Sequence, residues 1–228
     1  RGSIYTKFRM TDAKYPLSEV RIMPPTEAME LWCPGLNFVD HLEYAGTVLG
    51  QGTPPIPDHP NPWRKGRNAL TGNNDPIIIP KDCEGEVHYE GEAVAIIGKD
   101  CRRVSPAQAP RFILGYTCGN DVTERVIQKE EMSSGALLIS KGFDTFCSLG
   151  PLIATEINPD NTNLITKHNG IIKQETNTSD LLFSVRSLIA YLSSCMTLIP
   201  GDVILTGTPS GVGPLVVGDR IEVEIEGI

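Results

Sequence analysis

The chain has 228 residues, of which 40% are apolar and 21% are charged, and its formal net charge is −8. This length and composition are typical of one folded globular domain and exclude a disordered chain. The negative charge disfavours nucleic acid and anionic membrane as partners, because both bind clusters of Lys and Arg, but it leaves a small anionic substrate open.

The 18 prolines and 22 glycines predict a mostly β (α+β) fold with many turns. Residues 1–34 are predicted to form a short N-terminal segment and residues 35–228 a single domain. A polar stretch rich in proline and glycine runs from Leu36 to about Asn61. Four prolines stand between Thr53 and Asn61, which excludes a regular helix there. The segment 42–62 is therefore predicted to be an irregular surface lid.

Further along the chain, apolar runs and alternating patterns predict strands. Ser105-Pro106 is typical of a helix N-cap followed by a first-turn proline. A clear helix is predicted from Ser184 to Met196, because its apolar residues repeat with helical spacing. The predicted strands cover residues 76–80, 86–97, 203–206 and 220–226.

Two glutamates inside the predicted strand 86–97 form the most informative pattern. Glu90 and Glu92 point to the same strand face, and Gly91 leaves the opposite face open. Together with Asp121 they could supply half of an octahedral shell of oxygen ligands for a hard divalent cation. The alternative is a solvated strand face, as expected for the equally spaced glutamates at 222, 224 and 226. The spacing alone does not decide between the two.

Six segments of the chain resemble the fumarylacetoacetate hydrolase superfamily and occur in the order typical of that family. They are GLNFVDH (35–41), NALTGNNDPIIIP (68–80), VHYEGEAVAIIGK (87–99), GYTCGNDVTERVIQ (115–128), SKGFDTFCSLGP (140–151) and LIPGDVILTGTPSGVG (198–213). The resemblance implies a rolled mixed β-sheet with flanking helices and a homodimer. It also implies that Glu90, Glu92 and Asp121 bind Mg²⁺ or Mn²⁺.

The same resemblance implies roles for other polar residues. Lys141 and Gln128 match family residues near the metal-bound substrate and are predicted to be catalytic. Thr208 matches a threonine that contacts a substrate carboxylate. Lys65 lies close to a family lysine, and Arg67 is a further candidate. Both are predicted to bind a distal carboxylate of the substrate.

His41 matches the family histidine of the segment that precedes the lid and is predicted to transfer a proton. The family commonly has a glutamate three residues later, but this chain has Tyr44. Glu43 is two residues from His41, and on a helix that position points away from it. Tyr44 is predicted to contact the substrate as a candidate proton donor. This departure puts the hydrolytic activation of water in doubt.

The six cysteines are scattered without a CxxC pair, which favours reduced thiols over a disulfide framework or a zinc site. The first ten residues lack the apolar core of a secretory signal, so the cytoplasm or an organelle matrix is the expected compartment. The predicted function is metal-dependent cleavage of a C–C bond, by hydrolysis or decarboxylation, in a small β-diketo or 2-oxo carboxylic acid. A keto–enol tautomerase of a 2-oxo acid and a non-catalytic metal and ligand binder are the alternatives.

Overall fold

The computed structural model describes residues 3–49, 52–81, 83 and 85–228, without the side chains of residues 44, 45 and 47–49. The described strands are β1 (Leu31–Pro34), β2 (Pro62–Lys65), β3 (Leu70–Thr71), β4 (Val87–Tyr89), β5 (Gly91–Ile97), β6 (Ile113–Asp121), β7 (Thr123–Glu124), β8 (Cys147–Ala154), β9 (Asn163–His168), β10 (Ile171–Asn177), β11 (Val203–Leu205), β12 (Gly213–Pro214) and β13 (Ile221–Ile225). The described helices are α1 (Val39–Leu49), α2 (Arg125–Ser134), α3 (Ile139–Gly142) and α4 (Val185–Cys195). None of them combines the length and apolar character that crossing a membrane requires.

A curled seven-stranded sheet forms the centre of the molecule, with the strand order β2-β1-β11-β5-β6-β8-β3. The β1–β11 and β3–β8 pairs are parallel and the other pairs are antiparallel, so the sheet is mixed. Two three-stranded sheets, β10-β9-β13 and β12-β4-β7, flank it. The predicted mostly β fold with a mixed sheet and a few helices is therefore confirmed.

The core lies between the central sheet and α4. All residues of β5 are buried, because its neighbours β11 and β6 pair with both edges and other elements cover both faces. The predicted helix forms as α4, and the Ser184 hydroxyl caps it by accepting a hydrogen bond from the amide of Ser187. The apolar face of α4 packs against β5 and β11, and its buried members are Val185, Leu188, Ile189 and Leu192.

The predicted strand 86–97 is divided in two at Glu90. β4 pairs with β7 and β12, whereas β5 belongs to the central sheet. At the junction the amide of Glu90 donates to the side chain of Asn120 on β6 (2.9 Å) rather than to a backbone carbonyl. Glu90 therefore lies where two sheets meet. The sequence pattern of this segment alone does not predict that junction.

The face behind Gly91 is closed, contrary to the prediction. A Cβ atom on Gly91 would lie 1.9 Å from the Thr166 hydroxyl on β9. Its amide also donates to the side chain of Gln174 on β10 (3.0 Å). Gly91 is required because the flanking sheet packs directly on the backbone here.

The predicted strand 76–80 does not form. Pro76 and Pro80 carry no amide hydrogen, and the amide of Ile78 donates to the Thr145 hydroxyl (2.8 Å) rather than to another strand. Ile77 and Ile79 still pack against buried apolar residues, so the segment is extended without pairing. The prediction of a strand from this apolar run was therefore wrong.

The helix predicted after Ser105 is also absent. The chain forms turns at 106–108 and a 3-10 helix at Ala109–Phe112. Pro110 has no amide hydrogen to donate to the carbonyl of Pro106, so an α-helix cannot propagate. Ser105 instead donates from its amide and its hydroxyl to the Gln108 side chain.

The segment 42–62, predicted to be an irregular lid, is irregular only in its second part. Residues 39–49 form α1, whereas residues 52–61 form neither helix nor strand. The buried side chain of Asn37 fixes the chain just before α1. It donates to the carbonyls of Phe183 (2.9 Å) and Thr206 (2.7 Å). Asp40 in the first turn of α1 accepts from the amide and the hydroxyl of Ser210. The beginning of α1 is thereby attached to the loop that follows β11.

Candidate active site and metal centre

A cavity of about 550 Å³ opens beside the junction of β4 and β5. Its walls come from the lid segment, α1, α2 and the loop after β11. Among the residues predicted for the site, the cavity is lined by His41, Glu90, Glu92, Gln128, Lys141 and Thr208. Residues that are far apart in the chain thus meet around one space.

Three carboxylates converge at the floor of this cavity. Glu92 is on β5, Asp121 ends β6, and the amide of Asp121 donates to the carbonyl of Glu90 (2.8 Å). One oxygen from each side chain lies within 4.8 Å of the others. Glu90, Glu92 and Asp121 are 4%, 2% and 1% exposed. The solvated-face alternative is therefore wrong.

Three cations surround two of these carboxylates. The Lys141 ammonium lies 2.9 Å from Glu90 and 2.7 Å from Asp121. The Arg125 guanidinium lies 2.8 Å from Glu90. The Lys65 ammonium lies 2.6 Å from Asp121. Glu90 and Asp121 are thereby compensated within the protein.

Glu92 differs from the other two carboxylates. It accepts a hydrogen bond from the Gly207 amide (2.7 Å), and no cation of the described residues forms an ion pair with it. Burial, followed by the charges of Asp121 and Glu90, raises the pKa of Glu92 well above its usual range. Burial acts on Glu90 in the same direction, but Lys141 and Arg125 outweigh it and lower the pKa of Glu90.

The residues present fit a hard divalent cation. The donor set is all oxygen, as Mg²⁺ and Mn²⁺ prefer. A cation among the three carboxylates would supply the positive charge that Glu92 lacks, and a buried uncompensated carboxylate is otherwise unfavourable. Glu90, Glu92 and Asp121 would hold the ion, which would act as a Lewis acid toward substrate oxygens.

Metal binding should stabilise the fold. At a Mg²⁺ concentration about 100 times the dissociation constant, the free energy of unfolding should rise by about 2.7 kcal/mol. For a chain of this size that corresponds to an increase in melting temperature of about 5–10 °C. Thermal unfolding in EDTA, and again after Mg²⁺ is added at matched ionic strength, measures the effect. Equal melting temperatures would contradict the proposed ligand set.

His41 reaches the cavity from the first turn of α1. Burial, and next the positive charges of Arg125 and Lys141, lower the pKa of His41, while Glu90 opposes them. The imidazole is therefore neutral near pH 7. Because the segment is helical, Glu43 lies on a different face of α1 from His41, and it is exposed. The side chain of Tyr44 lies outside the described residues, so its predicted contact with the substrate stays a prediction.

Thr208 is fixed between two sheets. Its hydroxyl donates to the carbonyl of Gly91 (2.9 Å) and accepts from the Gln174 side chain (2.7 Å). The preceding Gly207 has φ of 93°, and a Cβ atom there would lie 2.8 Å from that of Asn37. Only glycine fits this turn, which presents one amide to Glu92 and places Thr208 at the cavity wall.

Lys65 and Arg67 lie elsewhere than predicted. The Lys65 side chain is fully buried behind Asp121, where it also donates to the carbonyls of Val122 (2.8 Å) and Phe146. Arg67 is exposed at the start of a 3-10 turn and does not line the cavity. Lys65 therefore supports Asp121, a candidate metal ligand, and neither Lys65 nor Arg67 is placed to meet a distal carboxylate in this cavity.

Two residues of the site were missed. Arg125 joins Glu90 to Gln128, whose amide oxygen it contacts at 2.8 Å. Its spacing of three from Gln128 on one helix face was a signal that could have been read. Gln174 holds Gly91 and Thr208 together, and it gave no signal because its partners come from other elements.

Comparison with known proteins identifies the family. Residues 30–228 match the model of the C-terminal domain of fumarylacetoacetate (FAA) hydrolase. The chain belongs to the fumarylacetoacetate hydrolase family. The resemblance seen in the six sequence segments is confirmed, and the curled mixed sheet is the fold of this family.

Three similar proteins of the family illustrate its range. The oxaloacetate tautomerase YisK of Bacillus subtilis is 35% identical over 94% of this chain and 72% of its own. The structure of a 2-hydroxyhepta-2,4-diene-1,7-dioate isomerase from Mycobacterium marinum has a TM-score of 0.87 and 39% identity, over 100% of this chain and 82% of its own. The structure of maleylpyruvate hydrolase from Sphingobium, in complex with manganese(II) and pyruvate, has a TM-score of 0.77 and 34% identity, over 94% of this chain and 73% of its own.

These three relatives are a tautomerase, an isomerase and a hydrolase. The protein is thus a member of a family of enzymes, with an acidic triad suited to a metal ion. Membership alone leaves the reaction open, because each of these relatives is named for a different one.

Proposed function

We propose that the protein is a divalent-metal-dependent enzyme that interconverts the keto and enol forms of a small 2-oxo carboxylic acid. The sequence predicts C–C bond cleavage, with this interconversion as the alternative. Both reactions pass through an enolate, and both use a metal ion with Glu90, Glu92 and Asp121 as its ligands. They differ in whether a water molecule must be activated.

The placement of His41 is the observation that carries the choice. His41 lines the cavity on a regular helix, and the next acid after it in sequence, Glu43, is exposed on another face. The acid before it, Asp40, accepts hydrogen bonds from the amide and the hydroxyl of Ser210. The family's usual His–Glu arrangement, three residues apart, is therefore replaced by a histidine followed by Tyr44. A neutral imidazole alone is sufficient for proton transfer, whereas hydrolysis needs a positioned water as well. The similarity to an oxaloacetate tautomerase supports the same choice.

In the proposed reaction His41 removes a proton from the carbon next to the keto group, and the resulting imidazolium donates that proton to the enolate oxygen, which gives the enol. The Lys141 ammonium stabilises the negative charge that develops on the enolate oxygen. The fixed hydroxyl of Thr208 orients the substrate carboxylate. Arg125 holds Glu90 and Gln128 in place at the start of α2.

Cleavage of a C–C bond remains the second candidate. The cavity of about 550 Å³ is in the range of pockets that enclose drug-sized ligands, so it has room for a β-diketo acid longer than oxaloacetate. The similarity to maleylpyruvate hydrolase supports this candidate. The same Lys141 and metal ligands would stabilise the enolate that leaves.

A panel of substrates tests the proposal. Metal-loaded protein is mixed with oxaloacetate, acylpyruvates and longer β-diketo acids, and enol absorbance is followed together with product NMR. Enol–keto conversion without loss of CO₂ or appearance of cleavage products would support a tautomerase. Cleavage products from one class would replace it with the second candidate. If oxalate binds to the Mg²⁺-loaded protein but no acid changes, the protein is the non-catalytic binder.

The pH dependence of the reaction should report His41. The free base is the active form, so kcat/KM should fall as the pH falls through the pKa of His41. Because burial lowers that pKa, the fall should occur below the usual value near 6.5. His41→Gln should remove the acid limb and reduce the rate about 10²–10⁴-fold. An unchanged limb in this variant would assign the proton transfer to another group.

Assembly and compartment complete the proposal. We propose a homodimer that acts on a small carboxylate in the cytoplasm or an organelle matrix, with no nucleic-acid or membrane partner. The net charge of −8 supports the exclusion of polyanionic partners. Sedimentation equilibrium of the metal-loaded protein would measure the oligomeric state.

A further inference from the structure

Lys141 is carried by a helix that cannot be stable alone. α3 spans four residues, and its N-cap residue Leu138 makes no side-chain capping bond. A single turn has too few internal hydrogen bonds to offset the fixed backbone dihedrals. The position of Lys141 must therefore be set by contacts from other elements.

Glu131, near the end of α2, supplies the missing cap. Its Oε1 atom accepts from the amides of Leu138 (3.1 Å) and Ile139 (2.7 Å). Its Oε2 atom accepts from the amide of Ser140 (3.1 Å) and from the Ser140 hydroxyl (2.6 Å). One carboxylate thus satisfies the first free amides of α3, where the helix dipole favours a negative charge.

The other end of α3 is held as well. The Asn68 side chain donates to the carbonyl of Gly142 and to the carboxylate of Asp144, both at 2.8 Å. Between these attachments Ser140 is fully buried and Lys141 is 2% exposed. Lys141 then reaches Glu90 and Asp121 with one ammonium group. A shift of α3 would move that ammonium away from both.

We propose that Glu131 is a positioning residue that fixes the Lys141 ammonium against Glu90 and Asp121 by capping α3. The consequence for catalysis rests on the proposed function, in which Lys141 stabilises an enolate. α2 then serves the site at both ends, since Arg125 at its start contacts Glu90 and Glu131 near its end holds the helix of Lys141.

The cap requires a carboxylate. Four donors converge on its two oxygens, and burial is outweighed by these hydrogen bonds, which lower the pKa of Glu131. Gln would offer one acceptor oxygen and turn an NH₂ group toward backbone N–H donors. Glu131→Gln should therefore behave much like Glu131→Ala. Glu130→Gln and Glu130→Ala are the matched controls, because Glu130 is exposed and adjacent.

Amide hydrogen exchange tests the structural half of the proposal without metal or substrate. In the metal-free protein, the amides of residues 138–140 should exchange at least about tenfold faster in Glu131→Ala and Glu131→Gln than in the Glu130 variants. Peptides from α4 serve as the internal reference. Equal exchange in the Glu130 and Glu131 variants would overturn the capping role.

A double-mutant cycle tests whether Glu131 acts through Lys141. Affinity for oxalate at saturating Mn²⁺, and kcat/KM, should each fall about 10–100-fold in Glu131→Ala. When Glu131→Ala is added to Lys141→Met, oxalate affinity and kcat/KM should each change by less than about twofold. Full additivity would show that Glu131 acts by another route and would overturn the proposal.

A second variant covers the case that Lys141→Met does not fold. Ser140→Ala removes one of the four hydrogen bonds and should lower oxalate affinity by a smaller factor, about threefold. If oxalate affinity is unchanged in both Ser140→Ala and Glu131→Gln, the proposal is overturned. If the wild type processes no 2-oxo acid, the proposed function fails, while the exchange and oxalate measurements still decide the role of Glu131.

Discussion

Replacing Glu92 with Gln is expected to abolish metal binding and turnover while making the metal-free protein more stable. The side chain is buried and, among the described residues, accepts one hydrogen bond, from the Gly207 amide, which Gln can also accept. The variant removes one proposed metal ligand and one buried carboxyl group. Affinity for Mg²⁺ should fall by more than about 100-fold, since loss of an outer-shell partner alone already reduces it 10–100-fold.

The gain in stability follows from the raised pKa of Glu92. A carboxyl whose folded pKa lies above its unfolded value binds a proton more readily in the folded state, so stability falls as the pH rises through that window. Gln mimics the protonated form at every pH. At pH 7 in EDTA the variant should be more stable by roughly 1–3 kcal/mol. Urea unfolding measures this, with exposed Glu175→Gln as the control. A variant that is less stable, or that keeps Mg²⁺-dependent activity, would contradict the account.

Replacing Lys141 with Met should have the opposite effect on the metal-free protein. The change leaves Glu90 and Asp121 without a shared buried cation. Loss of one partner of a buried ion pair typically destabilises by about 3–5 kcal/mol, or about 6–20 °C in melting temperature for a chain of this size. Turnover should also fall about 10²–10³-fold, because Lys141 stabilises the developing negative charge.

A bound cation should partly replace the lost charge of Lys141. The increase in melting temperature on addition of Mg²⁺ should therefore be larger in Lys141→Met than in the wild type. Lys167→Met is the control, because Lys167 forms an exposed ion pair with Glu224, and such pairs contribute little to stability. An increase no larger than that of the wild type would show that Lys141 does not compensate the metal ligands.

The metal ligands illustrate how far the sequence alone could lead. Glu90 and Glu92 have the same spacing as Glu222 and Glu224, yet the first pair is buried and the second is not. The difference lies in neighbours that only the fold brings together, such as Lys141 and the Gly207 amide. The resemblance to the family separated the two pairs, because the family motifs mark the residues that the fold brings together at the site.

The errors have a common physical origin. A strand at 76–80 fails because strand formation requires a partner, which an apolar run does not specify. Lys65 was predicted to meet substrate, but its position is set by the pairing of β1 with β2, which directs it behind Asp121. The helix α4 was predicted well, because its cap and apolar face are local features. The repeating apolar face of α4 was a reliable local signal, whereas the local signal at Ser105-Pro106 was overridden by Pro110. Contacts between distant segments were not predictable.

Deuterium exchange at C3 of oxaloacetate tests the central claim most directly. The rate is followed by NMR in D₂O for the Mg²⁺-loaded wild type and for Glu92→Gln, each corrected for the background of buffer and Mg²⁺. We expect enzyme-dependent exchange in the wild type that is lost in EDTA, restored by Mg²⁺ and absent in Glu92→Gln. Separate measurements establish that the wild type binds Mg²⁺ and oxalate. If that protein then exchanges C3 of oxaloacetate no faster than background, enolate chemistry at this site is contradicted.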